Sequence, residues 1–274
     1  MTRPVEDLSL LTSGWPGGDH TLAVANEASL LGATGDLDQV SNIASVSKLF
    51  TCVAALVAVE EGTISLDDHA GPEGSTVRHL MAHASGLGFD DRTQLFGLGR
   101  RRIYSNVGIE VLADHLANMS GMPFTEYLIE GVLIPLGLDN FEVSGSPAHG
   151  MRGSVGHLLR LGRELLAPTL LSPQTVATAT SPVFPELRGV LPGFGAATPN
   201  SWGLGFEIKG NKDPHWTGRN NSPETFGHFG GSGSFLWIDP TRRLIGASVS
   251  SEPFGDWAVT AWADANTTLV ERYG

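Results

Sequence analysis

The sequence holds a single cysteine, Cys52, among 274 residues, so no disulfide can form within the chain and a redox-active cysteine pair is excluded. Cys52 lies inside an apolar stretch, where a buried structural thiol is expected rather than a reactive one. Basic residues are also scarce: 17 Lys and Arg against 29 Asp and Glu give a formal charge of -12. That balance argues against nucleic acid or an anionic membrane as a partner. No apolar run approaches the ~18 residues of a membrane span. Residues 1–7 carry neither a basic leader with an apolar core nor a small-residue cleavage site. The expectation is a soluble, cytoplasmic protein with no internal repeat and no low-complexity tract.

What is present describes a loop-rich globular chain, 41% hydrophobic with 35 Gly and 16 Pro, long enough to bury a sizeable core. Residues 21–26 and 29–33 flank a short polar turn and predict a hairpin. A helix is expected from Ser45 to Glu60–Glu61, stopped by Gly62, followed by an extended link at 63–68. Ser75 is the expected cap of a helix over 75–83. Further helical patterns cover 107–119, closed by Gly121, then 123–133 and 155–166. Residues 181–200, rich in Pro and Gly, predict a long surface excursion. Alternation returns at 202–208, 233–238 and 244–250, and 257–273 predicts a closing helix. Together these predict one α+β domain over 1–274. An antiparallel sheet, covered by the first and last helices, forms a sheet lobe of about 1–68 and 201–274, with a helical lobe and excursion inserted at about 69–200. A ligand site is expected in the cleft between them.

The stretch Ser45-Val46-Ser47-Lys48 puts a hydroxyl and an amine three residues apart, on one helical face. A serine needs a neighbouring base to become a nucleophile, and a lysine whose pKa is depressed can supply one. In isolation the pattern far more often describes a capping serine and a solvated lysine. Ser47 lies about 100° around the helix from Lys48 and is assigned to packing or a local hydrogen bond. Tyr104 and Asn106, two apart before a helix, can enter one cleft. The glycine-rich stretch 227–233 opens a strand, which suggests a close approach to backbone. The amides of Ser45 and Gly231 would then form an oxyanion hole. A phosphate cradle is disfavoured because no Gly-Lys-Ser/Thr follows. His79 and His83 lack the Glu and third ligand of a zinc site. Trp202, Phe206 and Trp216 are divided between core and an acyl pocket. Residues 90–92 and 100–102 are expected to be solvated faces.

Taken in order, Ser45-x-x-Lys48, Tyr104-x-Asn106 and His228-x-Gly230 resemble the motifs of the serine β-lactamase and penicillin-binding-protein superfamily. The Tyr-x-Asn form resembles its class C-like branch, which includes esterases and D-aminopeptidases. Residues 60–68, 76–87 and 134–138 match as well. The resemblance implies a β-lactamase/transpeptidase-like fold, an acylated Ser45, Lys48 as its partner base, and Tyr104 as second base and deacylation residue. It further implies that Asn106 orients, that His228 and Gly230 meet the substrate, and that His83 belongs to a structural turn. A small acyl substrate is implied, with neither metal nor organic cofactor. His228 stands where β-lactamases usually carry a lysine. A histidine of ordinary pKa, about 6.5, is mostly neutral at pH 7. Carboxylate recognition is weakened, and neutral esters or amides are favoured. The alternatives are a β-lactamase or DD-peptidase, and a catalytically silent sensor of such ligands.

Overall fold

The computed structural model describes residues 4–274; residues 1–3, on which part of the leader reading rests, lie outside them. The chain opens with β1 (Glu6–Asp7) and α1 (Ser9–Thr12), then the expected hairpin of β2 (His20–Ala25) and β3 (Leu30–Thr34). Next come β4 (Ser41–Asn42), a 3₁₀ turn at Ala44–Val46, α2 (Ser47–Glu60), α3 (Val77–Met81) and α4 (Asn106–Ser120). After α5 (Phe124–Leu128) and a π-helical turn (Ile129–Leu133) the chain forms β5 (Glu142–Val143), β6 (Met151–Gly153), α6 (Val155–Leu166) and α7 (Pro173–Ala179). It closes with β7 (Gly189–Leu191), β8 (Gly195–Ala197), β9 (Glu207–Ile208), β10 (Phe226–Gly230), β11 (Ser234–Asp239), β12 (Leu244–Ser250) and α8 (Asp256–Tyr273).

The main sheet has seven strands in the order β1-β3-β2-β12-β11-β10-β9. It is antiparallel except where β1 runs parallel to β3. Strict alternation divides its side chains between two cores. Leu22, Val24, Phe235, Trp237 and Leu244 pack with Trp262 and Leu269 of α8. Ala23, Ala25, Leu236, Ile238, Ile245 and Ala247 face the other way, into a core shared with α2 and α6. No helix of the described residues is long and apolar enough to cross a membrane.

Several elements differ from the sequence reading. The sheet was expected under the first and last helices, but α6 lies against β12 and β11. A methyl group on its Gly162 would stand 2.5 Å from Ile245 Cγ2. Residues 47–58 of α2 are buried all round, as in a central helix of a large core rather than an amphipathic cover. Ser75 is not the cap of α3: Thr76 takes that position without a side-chain bond, and the Ser75 hydroxyl is buried without a partner. Residues 63–68 form bends and a turn at Leu66–Asp67 rather than an extended link. The excursion at 181–200 contains the β7–β8 hairpin. In 202–208 only Glu207–Ile208 is strand, and the glycine-rich stretch is itself β10 and the turn after it. By contrast, α4 ends at Gly121 with φ 70°, and α6 is held by the Ser154–His157 capping box.

Candidate active site

Ser45 sits in the 3₁₀ turn, just outside α2, rather than in the first turn of an α-helix. The residue before it, Ala44, has φ 43°, a conformation that costs a non-glycine residue about 1–3 kcal/mol and recurs at functional sites. From the first turn of α2, Lys48 reaches back so that Nζ lies 3.2 Å from Ser45 Oγ. The amine also donates to Asn106 Oδ1 at 2.6 Å and to the Ala148 carbonyl at 2.9 Å. Lys48 is fully buried, and burial pulls its ammonium down to about 7, with Asp90 and Glu110 pulling the other way. Ser47 accepts from the Met151 amide at 3.1 Å, so its hydrogen bond is to β6, remote in sequence. Cys52 is buried, and burial pushes its thiol up to about 12.

Ser105 caps α4 by accepting from the Gly108 amide, which fixes Tyr104 and Asn106 on either side of the cap. The Asn106 amide has one chemically sensible orientation: Nδ2 donates to Asp90 Oδ1 at 2.7 Å while Oδ1 accepts from Lys48. Tyr104 lies with its ring centroid 4.7 Å from Lys48 Nζ. Its hydroxyl is buried without a hydrogen bond. Burial, with Asp90 and Glu207 nearby, raises its pKa, opposed by the neighbouring Ser45 hydroxyl, so it is a phenol at neutral pH. Beneath it, His83 Nδ1 accepts from the Ser105 amide at 3.2 Å, while His79 bonds Thr76 and stacks on Phe184.

The expected solvated face at 100–102 is corrected at Arg102, which is buried. Its guanidinium donates to the carbonyls of Asn200 (2.9 Å), Val183 (2.9 Å), Phe184 (3.1 Å) and Ala82. Five donors in a planar fork suit such a ring of carbonyls. Arg102 thereby ties the 183–200 segment to the strand of chain that carries Tyr104. Nothing in Arg100-Arg101-Arg102 distinguishes the buried member from the half-buried Arg101 and the exposed Arg100.

On the opposite wall, a methyl group on Gly230 would stand 2.5 Å from the Ile43 carbonyl oxygen and 2.5 Å from Ser234 Oγ. Only glycine lets β10 run this close to the nucleophile turn, and Ser234 Oγ fastens the same carbonyl at 2.8 Å. Gly231 faces open space, and its position and Ser45 line one pocket. His228 Nδ1 lies 2.6 Å from the Phe229 carbonyl. A carbonyl only accepts, so Nδ1 carries the proton and Nε2 the lone pair; Nε2 is buried without a partner. Burial, then Lys48, pulls its pKa down to about 3, so the ring is neutral.

The pocket has a volume of about 170 Å³, and its walls include Phe89, Trp202, Leu191, Pro192, Phe229 and Phe254. Of the three candidate aromatic residues Trp202 lines it, whereas Phe206 packs on Phe226 and Trp216 is buried in the α8-side core. Sequence reasoning missed Glu207, which also lines the pocket. Its buried carboxylate accepts from Lys212 and Trp216 and from His215 Nε2 at 3.0 Å. Burial alone would raise its pKa; Lys212 and His215 reverse this and hold it well below the usual carboxylate range. The available signal was one charged residue in an otherwise apolar and glycine-rich alternating stretch.

The fold and the convergence of these residues define the class of serine β-lactamases and penicillin-binding proteins. The chain belongs to the β-lactamase family, whose model matches residues 22–269. A crystal structure of a β-lactamase from Mycobacterium bovis is 44% identical, with a TM-score of 0.95 over 96% of this chain and 98% of that one. A mutant simvastatin synthase from Aspergillus terreus shares the fold at 18% identity, with a TM-score of 0.76 over 93% and 94% of the two chains. D-alanyl-D-alanine-carboxypeptidase/endopeptidase AmpH of Escherichia coli (strain K12) is 28% identical over 151 residues, 40% of this chain. That match spans 38% of the relative's length.

Proposed function

We propose that the protein is a serine hydrolase that cleaves a carboxylic ester or amide through an acyl-Ser45 intermediate. The observation that carries this reading is the hydrogen-bonding of Lys48. In its neutral form the amine has two N–H groups, and the two carbonyl oxygens, Asn106 Oδ1 and Ala148 O, take both. The remaining lone pair then faces Ser45 Oγ, 3.2 Å away.

Ser45 Oγ gives its proton to Lys48 as it attacks the substrate carbonyl. The amides of Ser45 and Gly231 meet the developing oxyanion, each such donor being worth about 2.7–4 kcal/mol in the transition state. Tyr104, a phenol held between Lys48 and the pocket, passes a proton to the leaving group rather than acting as a resting phenolate. In the second half-reaction water attacks the acyl carbon and the proton path runs in reverse. Neutral His228 lacks the fixed cation that would bind a substrate carboxylate, which favours uncharged esters and amides.

A second reading, β-lactam or D-Ala-D-Ala turnover, is favoured by the 44% identical β-lactamase and by the AmpH relative. Turnover of a short-chain nitrophenyl ester, a chromogenic cephalosporin and a D-Ala-D-Ala peptide separates the two. Ester turnover is expected to dominate, and the reverse order would establish the second reading. Intact-protein mass spectrometry with a fluorophosphonate or penicillin, against a Ser45→Ala control, tests the intermediate. No adduct with any acylating probe would leave only the silent-sensor alternative.

A further inference from the structure

We propose that the substrate group seated beside Ser45 is uncharged, apolar and about the size of a benzene ring, and that Glu207 sets the exclusion of anions. The inference rests on the acyl-Ser45 reading above and names the substrate class for it.

Size comes from the cavity. Its volume of about 170 Å³ compares with the ~150 Å³ of an apolar cavity that holds benzene. One wall is apolar: Leu191 and Pro192 come from the β7–β8 hairpin, and Phe254 lies against Phe229 with centroids 5.0 Å apart. A chain much beyond six carbons would exceed this volume and extend past Leu191 and Pro192 of that hairpin.

Charge comes from the lining. Among the described residues no cationic side chain lines the pocket, and Glu207 alone there is ionised at neutral pH. Its counter-charge, Lys212, is buried against Glu207 and the Ser201 and Ile208 carbonyls, on the side of the carboxylate away from the lining, and does not itself line the pocket. Asp90 stands behind Asn106 as a second carboxylate, and both raise the pKa of the buried Tyr104 phenol. A substrate carboxylate would therefore lose its water opposite another carboxylate. An ammonium fares little better, because Lys212, His215 and Trp216 already occupy the Glu207 oxygens.

Nitrophenyl esters of acetate, butyrate, hexanoate, octanoate, glutarate and 4-aminobutyrate test this on the acyl half, and a matching set of alcohols tests the other half. In one half, kcat/KM is expected to peak at four to six carbons. Both charged analogues should fall at least about tenfold below butyrate, the scale on which pockets discriminate. Leu191→Ala is expected to move the optimum to longer chains. Glu207→Gln, which leaves Lys212 without its counter-charge, should narrow the gap between glutarate and butyrate. A flat profile in both halves, or a preference for either charged analogue, with the Ser45 adduct still forming, would overturn this inference alone. Failure of every probe to acylate Ser45 would overturn the hydrolase reading and this inference with it.

Discussion

Lys48 Nζ lies 2.6 Å from Asn106 Oδ1, so the buried amine rests on a neutral acceptor rather than a carboxylate. That choice keeps its pKa near 7, since an opposite charge in contact would favour the ammonium. Acylation of Ser45 is therefore expected to rise with pH through about 7 and level off above it. Asn106→Asp should move that midpoint upward by at least about one unit, as read from single-turnover acylation across pH. Lys48→Met should abolish the pH-dependent limb. The same depressed pKa means that the folded state binds fewer protons than the unfolded chain between about 7 and 10. The Lys48 contribution to stability thus rises with pH across that window, and Lys48→Met should flatten the slope of Tm against pH there.

Gly230 and Gly231 are adjacent, yet only the first is crowded. Gly230→Ala is expected to destabilise by about 1–3 kcal/mol, as overpacking does, and to displace the Ser45 turn, lowering acylation at least about tenfold. Gly231→Ala should leave Tm unchanged. Thermal melts of the two variants check the contrast.

Arg102→Ala leaves the carbonyls of Ala82, Val183, Phe184 and Asn200 dry. A loss of at least about 1–3 kcal/mol is expected in chemical denaturation, the cost of leaving a buried acceptor without its donor. Arg102→Lys should recover only part of it, because a single ammonium cannot span four acceptors.

Lys212→Met strands the Glu207 carboxylate with His215 and Trp216, and about 3–5 kcal/mol of destabilisation is expected. In the parent protein the Glu207 pKa is depressed on folding. Its stabilisation is present above the unfolded value of about 4.3 and lost as pH falls further. The variant should show a shallower acid limb in Tm against pH.

His228→Lys places a cation where a neutral ring now stands. Cephalosporin turnover is expected to rise relative to nitrophenyl ester turnover, measured as the ratio of the two kcat/KM values. A ratio that stays constant would show that the neutral histidine does not set carboxylate discrimination.

The local signals in the chain were read well where one element carried them. β2, β3, β12, α4, α6 and α8 fall close to the expected positions because alternation, Gly121 and Ser154 mark them. Ser45, Lys48, Tyr104, Asn106 and His228, far apart in sequence, lie next to one another. Tertiary choices were read less well. The cover of the sheet was assigned to α2, although α2 is apolar on every face, as a central helix is, whereas α6 sets Arg160 and Arg163 beside its leucines, as a one-sided cover does. Arg102 was assigned to water because neighbouring arginines are chemically identical; only the ring of carbonyls it meets decides otherwise. Glu207 was passed over because its partners, Lys212 and His215, lie beyond a turn that alternation does not describe.

The grip of Arg102 on the 183–200 segment runs entirely through main-chain oxygens, and β7 reaches the pocket from that segment. Apart from Gly189, where a methyl group would stand 2.7 Å from the Arg102 carbonyl oxygen, side chains between those anchor points take no part in the attachment. The hairpin is a replaceable cassette: selection, in nature or in the laboratory, can rewrite its sequence and length to suit new substrates while α2 and α4 keep their residues intact.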